Sequence, residues 1–507
     1  MSIFLTSLER LLRDNSGRAE IEVKASTLVE SAALLLDGGF RLALVAADDR
    51  PGPLRLVYLF ASGPPDQRVE LCVSIDRRRP TIPSLAAISF SASRFEREIR
   101  DLYGIEPEGH PLSRRLVLHQ HWPIGWHPMR RDAGPMPPMI ADAEPYPFVE
   151  VEGPGIYEIP VGPIHAGVIE PGHFRFSVVG ETIVKMKARL WFVHKGIEKL
   201  FEGKAVGDAV ELAEKVSGDT AVGHSLAYCL AVEEACGIAV PQRAQELRSI
   251  LLELERLYNH VADVGALCND VGFGLVNARA LVLREQLLRL NAEVTGHRLL
   301  RGGLFPGGVV VRRLPRPDEL DEITTKFVEL VNFACSNSIL MDRFSGTAVL
   351  TAEHAAKIGV LGVVGRASGL TLDARVAHPL TAPPAEFEIA GRPEGDVLAR
   401  FRVRCDEVAS SALLIDKYAG RSSGQLSAGS SLTPESGGHG SGIVEGFRGS
   451  IVHRVDVDDS GKLLRAKVVD PSFLNWPALA VALTDTIVPD FPLTNKSFGL
   501  SYAGNDL

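Results

Sequence analysis

Hydrophobic and polar positions change period along the chain, and each change marks an element. In the first 120 residues strand-length apolar runs dominate. Arg41–Ala47 and Leu54–Ala61 are rich in Leu and Val and are split by the turn-forming Asp48-Asp49-Arg50-Pro51-Gly52-Pro53. Val69–Ile75 nearly alternates apolar and polar residues, which predicts a third strand, and a charged helix is expected from about Ser93 to Leu102. From Trp122 to Pro147 the prolines Pro123, Pro128, Pro135, Pro137, Pro138, Pro145 and Pro147 exclude a helix or central strand, so this stretch reads as an extended, semi-rigid connector.

A short β segment is expected over Ile156 to Val179, and then the period becomes helical. In Pro241–Val261 the apolar Leu247, Ile250, Leu251, Leu254, Leu257, Tyr258 and Val261 recur at steps of three and four, which gives one buried stripe. A second helix runs from about Asn277 to Gly296. A third starts near Asp318 and carries Leu320, Ile323, Phe327, Leu330 and Val331 on one face. Helices of this length suggest a bundle core. Gly420–Gly449 is rich in Gly and Ser, including Gly437-Gly438-His439-Gly440-Ser441-Gly442. Without a preceding βαβ strand or a G-K-[ST] it reads as a flexible or tightly turning loop, not a phosphate cradle. Ile451–Val457 and Leu463–Val469 flank Asp458-Asp459-Ser460-Gly461 as a hairpin.

At 507 residues the chain exceeds a single core, so two or three domains are expected. A hydrophobic fraction of 45% with 23% charged residues is ordinary for a globular protein. The net charge of −9 argues against nucleic acid as a partner, and the basic runs at Arg77–Arg79 and Arg312–Arg316 read as solvated surface. No run of about 18 apolar residues is present. Met1 to Asp14 reads as a short amphipathic helix without the order of a secretory signal, so a cytoplasmic location is expected. The cysteines Cys72, Cys229, Cys236, Cys268, Cys335 and Cys405 are scattered and form no C-x-x-C, as for reduced, mostly buried thiols.

Arg94-Phe95-Glu96-Arg97-Glu98-Ile99-Arg100-Asp101-Leu102-Tyr103-Gly104-Ile105, followed by Gly109-His110-Pro111 and Arg114-Arg115, resembles the signature of the complex I 30 kDa subunit family. Gly162-Pro163-Ile164-His165, Glu170-Pro171-Gly172-His173-Phe174 and His194-Lys195-Gly196-Ile197-Glu198-Lys199 resemble the large subunit of membrane-bound [NiFe] hydrogenases and the related 49 kDa subunit of complex I. Arg243-Ala244-Gln245 through Glu253, Arg256 and His260 continues in that family's register. Such a fusion is typical of hydrogenase-4 and formate hydrogenlyase large subunits. The resemblance implies an α+β chain: a 30 kDa-like domain at 1–122, a connector at 123–150, and a mainly α, hydrogenase large subunit-like domain at 151–507 with a helical core and peripheral β segments.

The family's [NiFe] members hold their metals with two C-x-x-C pairs, and soft thiolates are what such metals take. Here Ser217 and Thr220 stand in the first place, and the stretch from Leu500 to Leu507 contains no cysteine. The resemblance then implies no Ni–Fe centre and no metal on this chain. It implies instead a cavity for a quinone or similar acceptor beside an iron–sulfur cluster held by a partner subunit. Quinone reduction needs donors for two carbonyl oxygens and a proton source. Asp219, His165 and His224 are the expected catalytic residues, and Ser217, Thr220, Asn505 and Asp506 the expected acceptor-pocket residues. An Asp beside a His tunes its pKa; the plain alternative is that Asp219 caps the next helix. Ile169 replaces a second family histidine, and Lys215 falls near the place of a family tyrosine, so the complex I quinone geometry does not transfer intact.

The implied partners are an iron–sulfur small subunit and antiporter-like membrane subunits, at the cytoplasmic face of the cell membrane. A non-catalytic coupling role is the alternative, and an active hydrogenase is remote. NAD binding enters only as a family-level property, because the chain shows no nucleotide fingerprint and a donor such as NAD(P)H or formate falls to another subunit. His119, His121 and His127 offer metal-ligand spacing in a setting of prolines and tryptophans that favours packing. Glu198 either faces a partner cluster or makes a surface ion pair with Lys199.

Overall fold

The computed structural model describes residues 17–507 apart from 113, 167–168, 422, 430–431 and 435–436, together with Arg10 and Arg13. The expected helix over Met1–Asp14 therefore lies outside the described residues except at Arg10 and Arg13. The chain divides into two compact units, Met1–Glu150 with Lys357–Gly359, and Val151–Ala356 with Val360–Leu507.

In the first unit, β1 (Arg18–Glu22), β2 (Arg41–Asp48), β3 (Leu54–Ser62) and β4 (Gln67–Ile75) form a sheet of order β1-β4-β3-β2. Within this sheet β1 and β4 run parallel, and β4–β3 and β3–β2 run antiparallel. The unbroken Leu/Val runs predicted from sequence are buried along almost their whole length. Helices α1 (Leu28–Asp37) and α2 (Phe90–Tyr103) complete the core.

The charged signature on α2 is an internal brace. Glu96 accepts from Ser84 Oγ and Leu85 N–H, both at 2.6 Å. Asp101 accepts from the N–H groups of Leu116, Val117 and Leu118 at 2.8–3.2 Å. Arg97 donates to the carbonyls of Arg114 and Arg115. The proline-rich stretch is tied to this unit by Arg115, which donates to the carbonyls of His119, Trp122 and Pro123, and by His127, whose Nδ1 binds the Asp101 carbonyl at 2.9 Å. His127 is thereby committed away from His119 and His121, and among the described residues the three histidines form no metal-ligating group.

In the second unit a meander of β5 (Ile156–Val161), β6 (His173–Val179) and β7 (Thr182–Arg189) precedes the helical body. Its main helices are α3 (Ala221–Cys236), α4 (Gln242–Asp270), α5 (Gly274–Thr295), α6 (Pro317–Cys335) and α7 (Val397–Ala419). The stripe predicted on α4 is buried from Leu247 to Val261, as are Leu320, Ile323, Phe327 and Leu330 of α6, with Val331 half-buried. Among the described residues no helix is long and apolar enough to cross a membrane.

The glycine-rich stretch departs from its reading as a loop. From Gly438 it is β8 (Gly438–Gly446), paired antiparallel with β9 (Gly449–Val457), which in turn pairs with β10 (Leu463–Val469) in the expected hairpin. Side chains on Gly438, Gly440 and Gly442 would stand 2.1, 2.3 and 1.9 Å from the carbonyl oxygens of Ala235, Ala231 and Ala227 on α3. Two residues of strand and four of helix advance by similar lengths, ~6.7 and ~6 Å. A glycine at every second strand position thus lets the strand lie directly on an alanine-lined helix.

Candidate functional site

The Ser217–Thr220 segment leads into α3 and is held by one side of α4. The Tyr258 hydroxyl and the Asn259 amide donate to the Asp219 carbonyl at 3.0 and 2.9 Å. One turn earlier, Glu255 accepts the N–H groups of Val222 and Gly223 at 2.7 and 2.9 Å and so caps α3. Capping therefore falls to Glu255 and not to Asp219. Burial pushes the Glu255 carboxyl up to about 8, against the lowering effect of those two bonds.

The Asp219 side chain points at Arg448, in the turn between β8 and β9. Two guanidinium N–H groups meet its two oxygens at 2.7 Å each, a bidentate pair. The Ser217 and Thr220 hydroxyls donate to Asp219 Oδ1 at 3.1 and 3.0 Å. Burial works to raise the Asp219 pKa, but Arg448 and these bonds overcome it and hold the carboxyl at about 2.

The C-terminal segment closes the arrangement. Ser501 Oγ lies 2.8 Å from Ser217 Oγ, and three residues on, at C-x-x-C spacing, stands Gly504. A side chain there would begin 2.5–2.9 Å from the Asp470 carboxylate. Where two facing C-x-x-C pairs would present four thiolates, Ser217, Thr220 and Ser501 present hydroxyls and Gly504 presents nothing. This donor set does not fit a nickel–iron pair.

Ser217, Asp219, Arg448 and Ser501 line an open cleft of about 580 Å³, with His165, Ile169, Glu170, Asp263, Lys496 and Tyr502 among the other lining residues. That volume lies in the range of small-molecule sites, ~300–1,000 Å³. His165 is half-buried on the wall, its Nε2 2.8 Å from the Gly172 carbonyl. Asp263 accepts from Arg404 at 3.0 Å. His173 Nδ1 meets the Gly162 carbonyl at 3.2 Å, and its Nε2 accepts from Arg175.

Of the residues expected from sequence, His165, Ser217 and Asp219 share the cleft, and Thr220 stands directly behind it. His224, Asn505 and Asp506 do not line it. His224 is fully buried between Asp470 and His453. Asn505 bonds Asp506, whose Oδ2 accepts the Val193 N–H and whose carbonyl meets His194 Nδ1, so both secure the His194-Lys195-Gly196 segment. Asp219 pairs with an arginine and not with a histidine. Glu198 is buried and takes Arg465 and Lys467 at 2.6 and 2.9 Å, while Lys199 pairs with Glu202. Arg448, Ser501 and Asp263 escaped sequence reasoning. The recurrence of S-x-x-T and S-x-x-G was the signal for Ser501; a lone arginine in a turn gives none.

Residues 21–137 match the family described as respiratory-chain NADH dehydrogenase, 30 Kd subunit, and residues 270–433 match its 49 Kd counterpart. Residues 195–267 match the nickel-dependent hydrogenases. The chain is 32% identical to formate hydrogenlyase subunit 5 of Escherichia coli K12, over 96% of this chain and 88% of that protein. It is 34% identical to hydrogenase-4 component G of the same organism, over 86% and 78%. Among solved structures it is similar to a chain of the membrane-bound sulfane sulfur reductase, an archaeal respiratory membrane complex. The TM-score there is 0.65 and the identity 26%, over 70% of this chain and 99% of that one.

Proposed function

We propose, from the premise that the chain belongs to the family of fused 30 kDa and 49 kDa-type complex I subunits that includes the formate hydrogenlyase and hydrogenase-4 large subunits, that it passes electrons from a partner's iron–sulfur cluster to a quinone or similar acceptor in this cleft, without a [NiFe] centre. The observation that carries the reading is the facing pair Ser217–Ser501 beside Asp219 and Arg448, opening on a ligand-sized cleft. Arg448, with a guanidinium N–H beyond those given to Asp219, Thr220 and Gly499, and the Tyr502 hydroxyl, which accepts from Asn495, supply donors for carbonyl oxygens. Asp219, as a carboxylate, holds Arg448 in place. The partners are an iron–sulfur small subunit and antiporter-like membrane subunits at the cytoplasmic face of the cell membrane, with 1–122 and 151–507 as the two functional domains. The electron donor binds another subunit.

The test is the intact complex, captured from membranes through a tag on this chain. We expect iron without nickel, and quinone reduction that falls about 10-fold or more in Asp219→Asn while assembly persists. Nickel in the active complex would overturn the reading. A second reading, a non-catalytic coupling subunit, is favoured by Lys215, which is half-exposed and paired with Glu211 rather than placed on the cleft wall. Iron without nickel, and no reaction with any quinone, would put that reading ahead.

A further inference from the structure

One wall of the cleft is assembled around Gly172. Its N–H donates to the Pro163 carbonyl at 3.0 Å, and its carbonyl accepts the His165 Nε2–H at 2.8 Å. On its open side lies the ring of Tyr502: a side chain at Gly172 would begin 2.6 Å from Tyr502 Cε1 and 3.3 Å from Leu190 Cδ2. The same ring stands edge-on to Trp476, with centroids 4.9 Å apart at 63°. Trp476 donates from its indole to the Ser501 carbonyl at 3.4 Å, which ties the phenol to the Ser217–Ser501 pair. The ring is therefore seated on two sides, and the missing Cβ at residue 172 makes the room for it.

The polar residues of the cleft differ in what they can offer a ligand. Ser217 and Thr220 give their hydroxyl protons to Asp219, and Ser501 then donates to Ser217. The imidazole of His165 gives its Nε2–H to the Gly172 carbonyl, so in the neutral ring its Nδ1 is an acceptor. The Tyr502 hydroxyl is arranged in the opposite sense. Asn495, another cleft residue, donates its side-chain amide to the phenol oxygen at 3.4 Å, and the hydroxyl proton has no acceptor among the described residues. A hydroxyl both accepts and donates, so with Asn495 on the oxygen the proton is left for a ligand. Burial, helped by the charges of Glu170 and Asp506, pushes the phenol above its ordinary value against the effect of the Asn495 bond, and the proton stays on the oxygen.

Resting on the reading of the cleft as an acceptor site, we propose that Tyr502 is its specificity-determining residue: the phenol, seated by Gly172 and Trp476 and turned by Asn495, donates to a carbonyl oxygen of the acceptor and so selects acceptors that carry one. Arg448 offers its charge to any electron-rich group, whereas a neutral hydroxyl held in one direction discriminates by geometry. A site built to hydrogen-bond a given group rejects analogues that lack it, because its own polar atom is then left unpaired. In this role Tyr502 binds and orients; it moves neither the electrons nor a proton.

The test uses the intact complex, captured from membranes, with two acceptors: a short-chain 1,4-benzoquinone, and ferricyanide, which takes one electron and has no carbonyl oxygen. Tyr502→Phe keeps the ring on Gly172 and Trp476, so assembly should persist. We expect kcat/KM for the quinone to fall about 10-fold, mostly through KM, while the ferricyanide rate stays within about twofold of wild type. Gly172→Ala, which keeps the hydroxyl but takes its seat, should lower kcat/KM for the quinone at least as far. A readout independent of turnover is the carbonyl stretching band of isotope-labelled quinone bound to the complex, by difference infrared spectroscopy. It should move to higher wavenumber in Tyr502→Phe as the hydrogen bond is lost. An unchanged kcat/KM with an unmoved band in Tyr502→Phe would overturn the proposal and leave the acceptor reading standing. So would an equal fall with both acceptors, which would put the effect on electron delivery. A wild-type complex that reduces ferricyanide but neither binds nor reduces quinone would overturn the acceptor reading itself, and the assignment of Tyr502 with it.

Discussion

Two sets of charges meet opposite faces of the same stretch of α4 and are built on opposite principles. Around Glu407 the charges are saturated and sealed. His260 Nε2 meets it at 2.7 Å, Arg256 at 3.4 Å and Arg366 at closer range, while Arg366 also binds Glu445 at 2.6 Å. Arg375 joins Asp373 to Glu253. Most of these side chains have no solvent exposure at all. The charges of Arg366, Arg256 and Arg375 and the His260 hydrogen bond hold Glu407 well below the usual carboxylate range in spite of its burial. At the cleft, Asp219 pairs with Arg448, its single ion-pair partner among the described residues, and its side chain remains 39% exposed. Arg256 links the two sets, because it donates to the carbonyls of Glu445 and Gly446, just before the turn that carries Arg448. The sealed set fixes the frame; the open one keeps a face for a ligand.

The largest effect should come from breaking the sealed set. Arg366→Met strands Glu407 and Glu445 without their shared cation. Removing one partner of a buried pair costs about 3–5 kcal/mol. We expect a large fall in thermal midpoint and loss of assembly, read by calorimetry and tagged capture. A variant that folds at wild-type stability and loses only turnover would erase the distinction between the sets.

Glu255 sharpens the comparison, being a buried carboxyl with no salt-bridge partner among the described residues. Its pKa in the folded protein, about 8, lies above the ordinary 4.5. The folded chain thus keeps a proton that the unfolded chain releases, so this contribution is full below about 4.5 and is lost as pH rises towards 8. The slope is at most about 1.4 kcal/mol per pH unit. In Glu255→Gln, denaturant titrations between pH 5 and 8 should show a flatter dependence than wild type.

The sealed set was partly legible in the sequence, because Glu253, Arg256 and His260 lie in register on a helix whose apolar stripe has clear period. Their partners Arg366, Glu407 and Glu445 come from 110 to 190 residues further on, and no local pattern points to them. The bundle helices and the hairpin carry their own periodicity and were readable. Strand β8 was not, because its glycines answer to the alanine face of α3, a tertiary reason that imitates a loop in sequence. At the site, the hydroxyls Ser217 and Thr220 were legible as substitutions in a known pattern. Arg448 was not, since its only meaning is the carboxylate it meets. His224 was read as catalytic because it stands near the first missing cysteine pair, but on α3 its ring turns inward to Asp470.

The smallest expected effect separates holding the cleft from acting in it. Tyr258 touches the open set only through the Asp219 carbonyl, which Asn259 also holds. Tyr258→Phe removes one hydroxyl and leaves that carbonyl with its second donor, so neither group is stranded. The loss should be near the net worth of one hydrogen bond, about 0.5–1.5 kcal/mol. Because Arg448 grips the Asp219 side chain independently, the carboxylate should keep its place, and quinone reduction should stay within about twofold of wild type. Asp219→Asn alters the charge itself and leaves Arg448 without its carboxylate, so it is expected to cost more in folding than Tyr258→Phe and far more in activity. Should Tyr258→Phe abolish turnover at unchanged stability, the phenol would be reaching the acceptor directly. The cleft would then extend along α4 past Asp219, and the line drawn here between the frame and the working face would have to move.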